Sequence, residues 1–380
     1  MEVHHGRSAS LCAMVILATL ASTNAEVNGD ETVPQGENGQ VPGERRERFG
    51  LNVSLEGRYD DNIIQLSERD LDRLKANTDP SRFRIETPDD TIAEGRFSFR
   101  YKARPIPRRE TAFLAFLDAH RYTRNSVKDY QEFGVSILQE ITASRQHLGS
   151  LRVEFSRTPH FYLRQLTDND ASFAAGRRIR EAATYSQNEY SIAYRQELIN
   201  NRLEGRLSRT RRPRDFDHHF EERDSTTDSW SLSLQGRPFG GSRIEVGLGY
   251  EAGALHARGD LSSTPIPDDD ISYRYHAIVF EAEVPWGTRR RGHLKFDVER
   301  EIRNFTTDNP FDILHSDRED ERRDYRARLV QHMAGDLDLV AEVRHRSNNA
   351  AFPTDFTTSD EVTDYVENLV SLGLVWHLRF

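Results

Sequence analysis

The sequence predicts an all-β fold, a single antiparallel up-and-down barrel of about fourteen strands. Three observations indicate it: the last dozen residues alternate like a strand, similar segments precede them, and the connections alternate between long and short. Single-chain bacterial barrels show an even strand number and connections sorted in this way. A soluble sandwich or propeller is the alternative all-β architecture, but it gives no reason for sorting connections by length.

The closing segment, residues 369–380, alternates in character. Val370, Leu372, Leu374, Trp376, Leu378 and Phe380 share one parity, and Ser371, Gly373, His377 and Arg379 share the other. Because successive side chains of a strand point to opposite faces, one face is apolar and the other largely polar. The segment resembles the last strand of Gram-negative outer-membrane β-barrels, which ends on Phe. That resemblance implies a transmembrane barrel in the outer membrane and recognition of this strand by the barrel insertion machinery.

The composition suits a protein whose apolar side chains face lipid. Hydrophobic residues make up 36% of the chain and charged residues 30%, too polar a balance for a large dry core. In a membrane barrel the apolar residues face outward at alternate positions, so that balance is expected. The net charge of −10 argues against a general nucleic-acid binder. The sole cysteine, Cys12, precedes the predicted strands, which excludes disulfides and cysteine metal sites from the barrel.

Three regions are predicted along the chain. Residues 1–25 fit a signal peptide, with Arg7 before an apolar run from Leu11 to Ala21 and a small-residue cleavage site ending at Ala25. Residues 26–46 are rich in Gly, Pro, Glu and Asn, and we expect a disordered periplasmic tail. Residues 47–380 are expected to form the barrel.

Alternating apolar residues give the strand positions. In chain order they lie near residues 49–59, 97–102, 111–122, 129–142, 151–156, 190–195, 203–207, 230–234, 244–250, 271–284, 294–299, 325–329, 337–343 and 369–380. The outward face of the third strand is uncertain, and the tenth has apolar residues on both parities, for which we expect a β-bulge. Long loops are expected at 60–90, where Ser67 caps a short helix, and at 159–183, 210–228 and 304–321.

The polar side chains at alternate strand positions are predicted to line the lumen. They are Arg58, Arg96, Arg100, Lys102, Arg152, Glu154, Arg195, Glu204, Arg206, Glu245, Lys295, Asp297, Glu299, Arg326, Arg328, Glu342 and Arg344. The opposite parity supplies a membrane-facing girdle and insertion signal, consisting of Tyr59, Tyr101, Tyr194, Trp230, Tyr250, Trp376, Leu378 and Phe380. The two signs of charge are nearly balanced in the lumen. This balance fits either a wet pore or an interlocked network of ion pairs.

Two predicted loops contain side chains that are able to take part in binding or catalysis. Loop 159–183 carries Arg177, Arg178 and Arg180, which would present a basic constriction if it folded inward. The sequence from Asp215 to His219 contains two Asp and two His, which suits a protease site or a metal site above a membrane. Ordinary surface loops explain both features more simply. We therefore predict no enzymatic activity, no cofactor and no metal.

A second resemblance lies at the exit of the first strand. The run Tyr59-Asp60-Asp61-Asn62 is similar to a segment of a loosely defined family of β-barrel porins, some encoded beside exopolysaccharide genes. The resemblance implies a porin-like channel for passive passage of hydrophilic solutes. Two alternatives stay open: a barrel for exopolysaccharide export, and a non-conducting structural or surface-binding barrel. The expected partners are outer-membrane lipid, lipopolysaccharide, the insertion machinery and a hydrophilic solute or polysaccharide.

Overall fold

A computed structural model describes residues 48–79, 82–106, 109–144, 147–199, 202–237, 243–259, 270–286, 292–307, 312, 315–352 and 363–379. The predicted signal peptide and the predicted tail up to residue 46 lie outside these residues. Both therefore stay predictions.

The described residues form one closed barrel of fourteen strands. They are β1 (Phe49–Asp60), β2 (Asp90–Ile106), β3 (Arg109–Tyr122), β4 (Tyr130–Ser144), β5 (His147–Asp168), β6 (Ile179–Ile199), β7 (Leu203–Phe216), β8 (Ser225–Gly236), β9 (Glu245–Ala257), β10 (Tyr273–Trp286), β11 (Gly292–Phe305), β12 (Glu319–His332), β13 (Leu337–Ala351) and β14 (Tyr365–Arg379). Each strand pairs antiparallel with the next, and β1 pairs with β14, with Val53 opposite Trp376. The predicted fold class and strand number are confirmed.

The two ends of the barrel differ in the length of their connections. One end, the turn end, carries the start of β1, the end of β14 and short connections such as those after β2 and β4. The other end, the loop end, carries the longer connections. The longest of these, loop 1 (residues 61–89), contains helix α1 (Glu68–Ala76), and the β5–β6 connection contains helix α2 (Asn169–Ala175). Among the described residues, no helix is long and apolar enough to cross a bilayer.

The outer face of the barrel is apolar. Leu55, Leu232 and Leu248 are 57%, 54% and 58% exposed, and they alternate with inward polar residues on their strands. Of the predicted girdle, Tyr59, Tyr101, Tyr194, Trp230, Tyr250, Trp376 and Leu378 have outward register, while Phe380 lies beyond the described residues. In a soluble protein such large apolar side chains are mostly buried, whereas here they cover the outer face. This distribution suits a lipid environment.

The expected bulge in the tenth strand is wrong. β10 pairs without a register shift against both β9 and β11, with Ala277 opposite Glu251 and Glu301. Tyr273, Tyr275 and Val279 therefore point inward, and the apolar residues of the other parity point to the outer face. The conflict arose because β10 places aromatic residues in the lumen, where the alternation rule expects polar groups.

The expected loops at 159–183 and 210–228 are also wrong in extent. β5 continues to Asp168, β6 begins at Ile179, and β7 continues to Phe216. On β5 the outward residue after Phe155 is the exposed Arg157, so the apolar outer band ends there while the strand continues. A strand segment beyond the hydrocarbon has no need of apolar alternation, so the sequence pattern disappears before the strand does.

Candidate functional site

The inner face of the barrel encloses a polar cavity of about 1960 Å³. Inward residues of all fourteen strands line it, from the turn end to the level of Tyr130, Arg212 and Asp324. A cavity of this size is far larger than a single water site, and its lining is rich in charged and hydroxyl groups. The arrangement can hold water and dissolved polar molecules.

All of the sequence-predicted lumen residues have inward register. Arg58 lies opposite Ile92 and Ser371, and the other predicted positions share the parity of their own strand's cavity-lining residues. The register places Arg58, Arg96, Arg100, Lys102, Arg152, Glu154, Arg195, Glu204, Arg206, Glu245, Lys295, Asp297, Glu299, Arg326, Arg328, Glu342 and Arg344 on this face. Their individual roles in transport stay predictions.

Ion pairs join many of these charges across neighbouring strands. The cross-strand pairs include Arg58 with Glu94 at 3.0 Å, Arg96 with Asp118 at 3.4 Å, Lys295 with Glu281 at 3.4 Å, and Arg326 with Glu342 at 3.6 Å. The His120 ring also lies 3.0 Å from Glu94, and Lys295 contacts Asp297 of its own strand at 3.2 Å. Arg344 donates to Asp324 through Nε at 2.8 Å. The paired charges lie along the wall and leave the cavity between them. A wall network and a wet interior therefore coexist.

The wall formed by β8 and β9 has small side chains. Ser229, Ser231 and Ser233 face inward from β8, and Gly247 and Gly249 face inward from β9. A Cβ atom built on Gly249 would lie 3.5 Å from the Cβ of Val279 on β10, which is an ordinary van der Waals distance. Close packing therefore does not require a glycine at this position. Because these side chains project little, the open part of the lumen lies toward this wall.

Loop 1 covers the rim of the loop end from β14 to β6. Its Ile63, Ile64, Leu66 and Ile85 form a buried apolar cluster with Tyr162 of β5, and partly buried residues of α1 pack against it. At the far side of the loop, Arg180 of β6 binds Asp79 at 2.7 Å. The predicted helix is confirmed, and Ser67 caps it by accepting from the Asp70 amide at 3.3 Å. For residues 159–183 the sequence favoured an ordinary surface loop over a basic constriction, and the structure places Arg180 of that segment in the rim packing with loop 1.

The Tyr59–Asn62 motif anchors loop 1. The Asn62 side chain donates to the carbonyl oxygens of Leu66 and Val366, each at 2.8 Å, and accepts from the Leu66 amide at 2.7 Å. Asn62 is 1% exposed, so these bonds satisfy a fully buried amide. Asp61 binds Asn368 on β14. The motif therefore joins the start of loop 1 to the closing strand.

Two buried acids at the loop end have opposite pKa shifts. Burial raises the pKa of Asp60 to about 8, and the neighbouring Glu367 adds to the effect. Burial also acts to raise the pKa of Asp90, but hydrogen bonds from Thr123 and Asn125 outweigh it and lower the pKa. Beside Asp60, burial lowers the pKa of Lys128 to about 8. The charged Asp90 holds the β3–β4 connection through these hydrogen bonds, whereas Asp60 favours its protonated form.

The Asp and His cluster at 215–219 is part of the loop scaffold. Asp217 accepts from the amide and hydroxyl of Thr184, and the His219 ring lies 2.9 Å from Asp168. Within the described ranges, no group of three or more His, Cys, Asp or Glu residues is placed to hold a metal. These contacts give the cluster a structural role.

Two groups of residues at the site were not predicted from the sequence. The apolar anchors of loop 1, Ile63, Ile64 and Leu66, lie in the segment predicted as a long loop at 60–90, and their run directly after Asn62 was the available signal. Of the inward aromatic residues, Phe161 lies on a strand segment that was predicted as loop, and Tyr185 lies between the loop expected to end at residue 183 and the strand expected from residue 190. Their signal was weak because no apolar alternation surrounds them.

The closed sheet, its apolar outer face and its polar lumen together define a transmembrane β-barrel of the outer-membrane class.

Comparisons with known proteins found solved structures that are similar to this chain. OprD from Pseudomonas aeruginosa is similar at 10% identity and a TM-score of 0.38, with 88% of this chain and 94% of that chain covered. The anion-selective porin from Comamonas acidovorans is similar at 8% identity and a TM-score of 0.40, with 87% and 98% covered. The TodX monoaromatic hydrocarbon channel, a deltaS2 mutant, gives 8% identity and a TM-score of 0.46, with 88% and 91% covered. No family model and no curated protein sequence matches the chain. The strand pairings establish the closed barrel independently of these likenesses.

Proposed function

We propose that the protein is an outer-membrane channel that lets hydrophilic solutes pass through the barrel lumen without energy input. The observation that supports the proposal best is the polar cavity of about 1960 Å³ inside a barrel whose outer face is apolar. Paired charges along the wall suit neutral or zwitterionic solutes better than a strongly selective ion channel, because neither sign dominates.

We also propose that the loop end faces the outside of the cell. Arginines with outward register cluster near that end: Arg121, Arg157, Arg209, Arg211, Arg274, Arg300 and Arg323. Toward the turn end the outward residues include Tyr101, Gln139, Trp286 and Gln331 instead. Lipopolysaccharide phosphates occupy the outer leaflet, and guanidinium groups bind phosphate well. This orientation puts the short turns and the end of the C-terminal strand, where the predicted insertion signal lies, on the periplasmic side.

Adjacent substitutions on β10 test the channel. Val279 faces the small-residue wall, and Ile278 faces outward at 52% exposure. We expect Val279→Trp to fill part of the open lumen and roughly halve single-channel conductance in planar bilayers. The matched variant Ile278→Trp adds the same ring on the lipid side, and its conductance should equal that of the unmodified protein.

One result would contradict the channel, and another would contradict the route assigned to it. A refolded protein that gives no conductance at any voltage would favour the non-conducting structural barrel. Equal conductance in the Val279→Trp and Ile278→Trp variants would show that ions do not pass along the β8–β9 wall. Heat-dependent mobility on SDS gels should verify that each variant has folded before it is measured.

A further inference from the structure

Five rings form a row on the inner wall of the barrel, one from each of five consecutive strands. The aromatic row consists of His120 (β3), Tyr130 (β4), Phe161 (β5), Tyr185 (β6) and Phe216 (β7). Successive ring centroids are 4.1, 5.2, 5.2 and 5.1 Å apart. A continuous row of rings on the water side of a membrane barrel is the reverse of the girdle pattern, in which aromatic residues face lipid.

A local irregularity of β5 presents the central ring to the lumen. The pairing of β5 with β6 shifts register between Thr158 and Phe161 and again between Tyr162 and Arg164. Such irregularities re-aim side chains. Phe161 thereby joins the row, whereas Tyr162, the next residue, is buried in the apolar cluster of loop 1. The side chain that secures loop 1 is thus distinct from the ring that faces the lumen.

The row borders a side pocket of about 250 Å³. Tyr130, Phe161 and Tyr185 form its aromatic side, and none of the three is fully buried. Tyr130 and Arg212 line both the side pocket and the main cavity, so the two spaces are adjacent. At the density of liquid water the pocket holds roughly eight molecules. One sugar ring is of comparable size.

The polar side of the pocket carries both signs in equal number. Arg212 binds Glu189 at 2.6 Å, which neutralises that pair. Arg214 donates to the Gln187 amide oxygen at 2.7 Å and lies 5.3 Å from the Tyr185 ring centroid. Glu132 makes no ion pair with any described residue. An anion would meet the glutamates and a cation the arginines, whereas hydroxyl groups can bond to both.

We propose that the side pocket binds a neutral carbohydrate ring. The ring's C–H face stacks on Phe161 and Tyr185, and its hydroxyl groups bond to Glu132, Arg214 and their neighbours. Flat apolar faces beside a few placed polar groups are the usual composition of a pocket for an amphiphilic ring. The inference relies on the proposed channel only for the route by which a sugar arrives, because binding can be measured without transport.

Saturation-transfer NMR on the folded barrel in detergent tests the proposal, with glucose as the probe. We expect glucose to bind the unmodified protein and its affinity to fall about tenfold in Phe161→Leu and in Tyr185→Ala, the equivalent of one lost stacking contact. Phe161→Leu keeps apolar volume, so it separates loss of the flat ring from collapse of the wall. Tyr273→Ala removes another inward ring, on β10, and should leave glucose binding unchanged.

Charged sugars and a longer oligosaccharide serve as further probes of the same pocket. Glucuronate and glucosamine should bind more weakly than glucose, and Glu132→Gln should raise the affinity for glucuronate because it removes a negative charge. Maltohexaose binding no tighter than glucose would indicate a single-ring solute, and tighter binding would indicate a segment of a polymer; both support the site. Absence of glucose binding to the folded protein, or glucose binding that Phe161→Leu and Tyr185→Ala leave intact, would overturn it. Conductance of the same samples in potassium chloride reports separately on the channel.

Discussion

Asp60 shows how a single buried group at the loop end sets a pH dependence. It is 6% exposed, accepts from the Asn62 amide at 2.9 Å, and has the acidic Glu367 as a neighbour. The outward position that follows Tyr59 is the polar Asp61, so the apolar band has ended at this level. Burial and Glu367 favour the protonated form, and the nearby Arg58 opposes them only in part.

We predict that Asp60→Asn stabilises the folded barrel at alkaline pH. The pKa of Asp60 is raised from 3.8 to about 8 by folding, so the folded state keeps a proton that the unfolded chain has lost. The free energy of unfolding therefore falls as pH rises from about 4 to about 8. Asparagine cannot ionise, and its side-chain oxygen can still accept from Asn62. Urea unfolding should show a gain of at least about 1 kcal/mol at pH 9.

The matching measurement at pH 4.5 is the control for Asp60→Asn. There the folded protein already holds the proton, so the two proteins should unfold at nearly the same urea concentration. A variant that is less stable at pH 9, or equally stabilised at both pH values, would contradict a buried protonated carboxyl at this position.

At the scale of elements, loop 1 acts as a packed unit joined to the β5–β6 hairpin. Leu66 is 4% exposed in the apolar cluster that includes Tyr162, and Arg180 binds the other end of the loop at Asp79. Deep burial of apolar groups and a fully bonded Asn62 are features of a segment that opens rarely. Loop 1 is therefore expected to resist proteases in the folded barrel.

We predict that Leu66→Asp releases loop 1. A carboxylate in place of this buried leucine has no bonded partner in the cluster, at a cost of roughly 3 kcal/mol. Limited proteolysis should then cut within residues 61–89 while the barrel stays heat-modifiable on SDS gels. Ala76→Asp places the same group at an exposed position of α1 and should leave loop 1 resistant. Equal resistance of both variants would contradict the anchoring role of the cluster.

The elements predictable from sequence were those whose outer face meets hydrocarbon. Alternation around Leu232 and Trp376 located strands and their faces, because lipid demands an apolar residue at every second position. Alternation failed at β10, where Tyr275 and Val279 face the lumen, and beyond Arg157 on β5, where the strand leaves the apolar band. Fold class and strand number were predictable for this reason, and strand ends were not.

For the whole molecule, the lumen followed from the sequence only in part. Alternation along each strand was enough to assign Arg58 and Glu342 to the inner face, because successive side chains of a strand point to opposite faces. The aromatic row depends on ring packing between strands and on the register shifts in β5, which no single-strand pattern encodes. The anchoring of loop 1 depends on contacts between segments about 300 positions apart, such as Asn62 with Val366.

The central claim is that this barrel turns its apolar side chains outward and its polar ones inward. Cysteine scanning of residues 229–234 on β8 tests it most directly, after replacement of Cys12, the chain's sole cysteine. In lipid vesicles, cysteines at Ser229, Ser231 and Ser233 should react with a membrane-impermeant maleimide, and spin labels at Trp230, Leu232 and Leu234 should be relaxed by lipid-dissolved oxygen. This period of two is what the structure predicts. Uniform labelling, or maleimide reaction at Leu232 with protection at Ser231, would contradict the claim.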